Sequence, residues 1–352
     1  MEQKNYQKWT WILIICVVCT LAGFAFIEYT LDPLIHYGKE SGILTSYEYT
    51  EMYSNPGIAK HYDYDAVMVG TSMVEHTDID VCDSLWNCKM VRLPYSGGTT
   101  FNMKTILDVC FNNNKQIKTV YWELDEFQLL GSSTEPRYPL PTYLYRDDHK
   151  EDVKYLLNLD IFYHYTVLDL FGTSKGENQP VQHRQVPSGA VYSKEAVLKG
   201  YSRLAEQKRA IDSVTYLKKV DENLDRNIVP LIEAYFDTKF VFFMPPFSVL
   251  YWDRTLRDGT FDANMDAVEY AVERLLEYDN VEIYFYQNEK SIITNLDNYK
   301  DFSHYKPGIN DLVTQMIADR KGQLNKENYM IIIESMRSYI HRYPYEELFV
   351  NQ

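Results

Sequence analysis

At 352 residues, 45% of them hydrophobic and 24% charged, the chain can bury a large core, and disorder is excluded as its main state. Its 50 acidic against 35 basic side chains leave a net charge of −15, which argues against a nucleic-acid binder. Tyrosine outnumbers phenylalanine 31 to 16, a bias that suits sugar-like ligands but that compositional drift explains as well.

The chain opens on a membrane signal. Residues 9–27, WTWILIICVVCTLAGFAFI, carry no charge, and as a helix they span roughly 28 Å, close to the ~30 Å hydrocarbon core of a bilayer. Trp9, Trp11 and Tyr29 fall at interfacial positions, Lys4 and Lys8 precede the run, and Glu28 and Asp32 follow it. The positive-inside rule then predicts a cytoplasmic segment 1–8, an anchor at 9–28 and an extracellular domain at 29–352. A cleaved signal peptide ending at GFA is the other reading, and the length of the run favours the anchor. YMIIIESM, near the end, is too short and amphipathic to be a second span. Charges in 1–28 cancel, so the whole −15 belongs to the external part. Cys16 and Cys19 lie in the apolar run. Cys82, Cys88 and Cys110 show no zinc spacing, and both a Cys82–Cys88 bridge and buried free thiols remain open.

Beyond the anchor the pattern alternates. Strands are predicted at 64–70, 90–94, 117–124, 238–246 and 281–286. Helices are predicted at 101–114, within 195–235, and at 265–278, 309–322 and 328–340. Strands alternating with helices imply an α/β fold with a parallel sheet covered on both faces, with ligands bound at the carboxyl ends of the strands. Residues 132–187, proline-rich and holding FGTSKGENQP, break the rhythm and read as an insertion or lid. No internal repeat is visible.

Three short stretches carry chemistry. VMVGTSMVEH puts Ser72 just past the first strand, where the run that follows can start a helix. The helix N-terminus would offer N–H groups to a developing oxyanion. LPYSGGTT puts Gly97 and Gly98 just past the second strand. DFSHYKPGIN puts Asp301 and His304 three apart on one loop before a helix. Singly these read as an N-cap, a turn and a capped loop. In combination and order they resemble the SGNH/GDSL hydrolase superfamily, over about residues 62–320. More narrowly, GTSM, YSGGT, ELDEF, FFMPPFS and DFSHYKPGIN resemble its membrane-anchored branch, related to the D-alanine-transfer protein DltD and to alginate-acetylation factors.

That resemblance implies a flavodoxin-like three-layer α/β/α sandwich around a mostly parallel five-stranded sheet. It implies Ser72 as nucleophile, His304 as base and Asp301 as its orienting partner, with the Ser72 N–H and that of Gly97 or Gly98 forming the oxyanion hole. No cofactor and no metal are expected. The implied activity is a membrane-anchored O-acyltransferase or esterase on a cell-surface glycan or teichoic-acid-like polymer, beside a membrane-bound O-acyltransferase. The alternative is a non-catalytic adaptor docking on that acyltransferase. Two departures stand out. Thr71 replaces the usual aspartate before the nucleophile. YWELDEFQ, after the third strand, lacks the usual asparagine donor, so the hole is either smaller or completed by another donor such as Gln128 or the Trp122 N–H, while Glu123, Asp125 and Glu126 would repel an oxyanion when ionised. His76, one turn past Ser72, is expected to be surface or local structure. Pro245-Pro246 should turn the chain, with Phe247 or Ser248 as lesser candidates for the site. His36, His61, His164, His183 and His341 stand alone in sequence, and Asp63, Asp65, Asp125 and Asp301 have no metal-binding spacing.

Overall fold

The computed structural model describes residues 2–39, 44, 51–114, 116–171, 189–207 and 211–350. His183 and most of FGTSKGENQP lie outside them. The chain divides into two compact units, 1–62 with 140–183 and 63–139 with 184–352.

The first unit begins with α1, Glu2–Leu31. Nothing in it breaks a helix but Gly23, and Thr10, Thr20 and Thr30 each return their hydroxyls to the carbonyl four residues back. Trp9, Trp11, Leu13 and Ile15 are all more than half exposed. By length and composition, residues 5–31 are apolar enough to cross a membrane, a test that a signal sequence also passes. After α1 the chain turns on Asp32 and Ile35, both at positive φ (43° and 58°). The Asp32 carboxylate accepts the Tyr37 and Lys39 N–H groups and the Tyr155 hydroxyl, which fixes the turn. Leu34, Leu144, Tyr155 and Ile161 form a small core there, and α2, Glu51–His61, belongs to the same unit.

The second unit holds the sheet. Its strands are β1 Ala66–Gly70, β2 Met90–Pro94, β3 Thr119–Glu123, β4 Lys239–Met244, β5 Val281–Phe285 and β6 Gln323–Leu324. They lie in the order β2-β1-β3-β4-β5-β6. β1 to β5 pair in parallel, in the order of flavodoxin-like doubly wound sheets. β6 runs antiparallel to β5 through Ile283–Leu324 and Tyr284–Gln323. The sheet is therefore mixed and six-stranded rather than five-stranded. Two residues are too few to show the alternation that marks a strand in sequence. The central strands are almost wholly buried, as expected where helices cover both faces.

The helices that matter are α3 Ile79–Trp86, α4 Thr100–Asn113, α5 Glu126–Leu130, α6 Ser213–Asn223, α7 Val249–Arg257, α8 Phe261–Leu275, α9 Pro307–Ala318 and α10 Tyr329–Arg342. α3 packs on α9, while α5, α6, α8 and α10 form a second packed group. The long helical run expected at 195–235 is broken. Lys194–Gly200 is a separate helix, and after α6 the chain passes through a π turn at Leu224–Ile228 into Val229–Ala234. Pro230, near the start of that last piece, has no N–H to return to the preceding turn.

Candidate active site

The carboxyl end of β1 is built around a close approach. A Cβ on Gly70 would lie 2.6 Å from the Glu123 Cβ on the neighbouring strand, so glycine lets the Glu123 side chain lie against the turn. There Glu123 Oε2 accepts the Thr71 N–H (2.7 Å) and the Thr71 hydroxyl (2.9 Å). Thr71, the residue before Ser72, is thus tied to β3. The helix expected to start at Ser72 is a single 3-10 turn, Ser72–Val74, and α3 begins only at Ile79 behind its own Asp78 cap. Ser72 therefore has no long helix dipole behind it, and any help to an anion comes from individual N–H groups.

The 301–304 loop is clamped from below. Ser248 caps α7 through the Leu250 N–H (3.1 Å) and also donates its hydroxyl to the Phe302 carbonyl (2.6 Å). The Phe302 ring stacks over Tyr251 (6.3 Å) and lies under the Arg254 guanidinium (5.3 Å). On this support Asp301 Oδ1 accepts the N–H groups of Ser303 and His304, both at 2.8 Å. Its Oδ2 lies 2.8 Å from His304 Nδ1, and His304 Nε2 lies 2.8 Å from Ser72 Oγ. With Nδ1–H donated to the carboxylate, Nε2 is left to accept the Ser72 proton. Burial works against the Asp301 charge, but the His304 ring and the two N–H donors hold the carboxyl well below the usual range. Both side chains stay part-exposed, at 34% for His304 and 40% for Asp301, so a ligand can reach them.

Gly97, at φ +62°, lies in a turn three residues past β2. Pro94 pairs with Gly70, which puts this turn and Ser72 at the same edge of adjacent strands. Among the described residues the Ser72 and Gly97 N–H groups have no acceptor. The Gly98 N–H donates to the Tyr95 carbonyl at 2.7 Å, which removes Gly98 as an oxyanion donor. The two groups expected to replace the missing asparagine are also occupied. The Trp122 indole donates to Gln128 Oε1 (3.0 Å), and Gln128 Nε2 donates to the Glu123 carbonyl (2.6 Å). Both side chains are buried and face each other.

The three acids of ELDEF are buried as well. Asp125 caps α5 through the Gln128 N–H (2.8 Å), and Glu126 accepts from Gln287 Nε2 (3.1 Å). Burial pushes all three carboxyls up: Glu123 to about 7, Glu126 above its usual value, and Asp125 well above it, helped by the neighbouring Glu123 and Glu126 charges. The repulsion expected from ionised carboxylates is weakened accordingly.

Other candidates fall away. His76 is buried rather than on the surface and makes no hydrogen bond to Ser72. Phe247 and Ser248 are buried, and Ser248 acts on the loop backbone. Cys82, Cys88 and Cys110 are free thiols. His36 does not stand alone. In the first unit it lies 3.1 Å from Asp152, which also meets His149 at 3.0 Å, and these three could hold a divalent ion. His36 lies 113 and 116 residues from the other two, which hid the group from a reading of local spacings.

No family model matches the chain, and no curated protein matches it. One solved structure, from Streptococcus pneumonia and described as a platelet activating factor, overlaps 76% of this chain and 89% of its own, at a TM-score of 0.41 and 10% identity. That overlap is too loose to carry residue roles across.

Proposed function

We propose that the chain is an SGNH-type serine acyltransferase or esterase, held at a membrane by α1, with residues 29–352 on the extracellular side. The observation that carries the reading is the unbroken hydrogen-bond chain from Ser72 Oγ through His304 to Asp301, 2.8 Å at each link. In the proposed reaction Ser72 Oγ attacks an acyl carbonyl while His304 Nε2 takes its proton, and the N–H groups of Ser72 and Gly97 bind the oxyanion. The C–O bond to the leaving group then breaks, and His304 returns the proton to the departing oxygen. An acceptor hydroxyl, or water, attacks the acyl-serine by the same steps in reverse. Asp301 keeps the ring in the required tautomer throughout.

The resemblance of the motifs to DltD-like and alginate-acetylation proteins supports a cell-surface glycan or teichoic-acid-like acceptor, with acyl groups delivered by a membrane-bound O-acyltransferase. An external part of charge −15 favours a neutral glycan, or an anionic one met by a local cation. One observation favours the adaptor reading: Gln128 and the Trp122 indole, the nearest substitutes for the asparagine donor, are engaged with each other. The test is surface-polymer acylation in cells carrying Ser72→Ala at normal abundance. Loss of acylation is expected. Acylation at the wild-type level would remove Ser72 as nucleophile and leave the adaptor.

A further inference from the structure

Arg137, like Arg254 over Phe302, stands apart from the ion-paired arginines of this acidic chain. Arg203 pairs with Asp253, Arg274 with Asp221 and Arg337 with Asp266. Among the described residues Arg137 has no ion pair and no hydrogen bond. Its exposed side chain lies between two part-exposed rings. Its guanidinium lies 5.2 Å from the Phe127 ring centroid and 5.3 Å from that of Tyr138, within cation–π range of both. Aromatic faces fix a cation without neutralising it. The place they fix is beside Gly97, where Nη1 occupies the space that a Cβ on that glycine would fill. Gly97 thus does two things: it takes a positive φ, and it admits a guanidinium beside its own free N–H.

Resting on the serine reading above, we infer that Arg137 is the third oxyanion donor, acting beside Gly97 in place of the asparagine that ELDEF lacks. Covalent geometry puts its Nη1 within roughly 5 Å of the Gly97 nitrogen. Two donors that each sit ~2.9 Å from a shared oxygen can be up to roughly 5.8 Å apart, so one oxygen can accept from both. A charged donor is also stronger than a neutral amide and suits an oxyanion in a part-exposed site.

The experiment uses the full chain in detergent and an uncharged fluorophosphonate. Ser72 Oγ displaces fluoride from this probe to give a phosphonyl-serine whose P–O mimics the oxyanion. Labelling of the unaltered protein, read by peptide mass at Ser72 and absent in Ser72→Ala, tests the serine reading itself. No labelling would overturn that reading and this inference together. Given labelling, Arg137→Ala is expected to lower the maximal rate by about 10²–10³ with little change in half-saturation, and Arg137→Lys to restore part of it. Unchanged melting of both variants would exclude a merely structural loss. Labelling of Arg137→Ala at the unaltered rate would overturn the inference. So would a loss seen only with an anionic ester and not with the neutral probe, which would make Arg137 a substrate-charge contact.

Discussion

Ser72 is held through its neighbour. Thr71 gives both its N–H and its hydroxyl to one oxygen of Glu123, and that carboxyl is buried. Burial pushes it up to about 7 from an ordinary 4.5, so the folded chain binds this proton more tightly than the unfolded chain does. The stability linked to it is fully present below about pH 4.5 and is lost as pH rises through about 7. Glu123→Gln keeps an acceptor for Thr71 and cannot titrate. Melting temperatures taken from pH 4 to 8 should fall more for the unaltered protein than for the variant across that window, and parallel curves would contradict the assignment. Asp301→Asn should keep the fold but hold His304 in the wrong tautomer, slowing acylation of Ser72 by up to about 10⁴. Of these residues the sequence makes Asp301 and His304 legible, because they share one loop. It leaves Gly97 and Gly98 undivided, since only the folded turn ties the Gly98 N–H to Tyr95. Arg137 is illegible by spacing, lying 40 positions from the glycine it abuts.

Among the elements, the 301–304 loop depends on α7. Ser248 is the only side chain among the described residues that both caps this helix and grips the Phe302 carbonyl. Ser248→Ala should cost about 1 kcal/mol through the lost cap and leave the Phe302 carbonyl without that donor. Slower Ser72 labelling, beyond what the drop in melting temperature explains, would mark it as a positioning residue. Unaltered labelling would confine it to stability. The five parallel strands are readable because each is a short apolar run bounded by turn residues. β6 and α2 are not: one is two residues long, and the other holds Pro56 and Gly57, which read as breakers. Pro230 marks a change of helical winding for the opposite reason: amphipathic spacing continues across it, while its missing N–H goes with the π turn at Leu224–Ile228.

For the whole molecule the consequential element is α1. If it is an anchor with its N-terminus inside, protease added to intact cells should remove an epitope placed at the C-terminus while leaving a cytoplasmic control intact. Full protection of the chain beyond about residue 40 would reverse the topology. On the proposed function, in which a partner delivers the acyl group, hydrolysis of a generic ester such as p-nitrophenyl acetate should be slow beside transfer in cells. If α1 is an anchor, the last strand also gains a meaning. A sheet flank is an adhesive seam, because unpaired N–H and C=O groups can zip to another chain. Copies tethered to one surface meet in two dimensions, repeatedly and in similar orientation, which raises the risk of such zippering. On the β5 side the seam is covered by two residues running the other way, Gln323–Leu324, pinned by the Phe285 N–H to the Gly322 carbonyl. So short a hem offers a neighbour too few groups to template a further strand, and crowding at the surface should not turn this flank into a fibre edge.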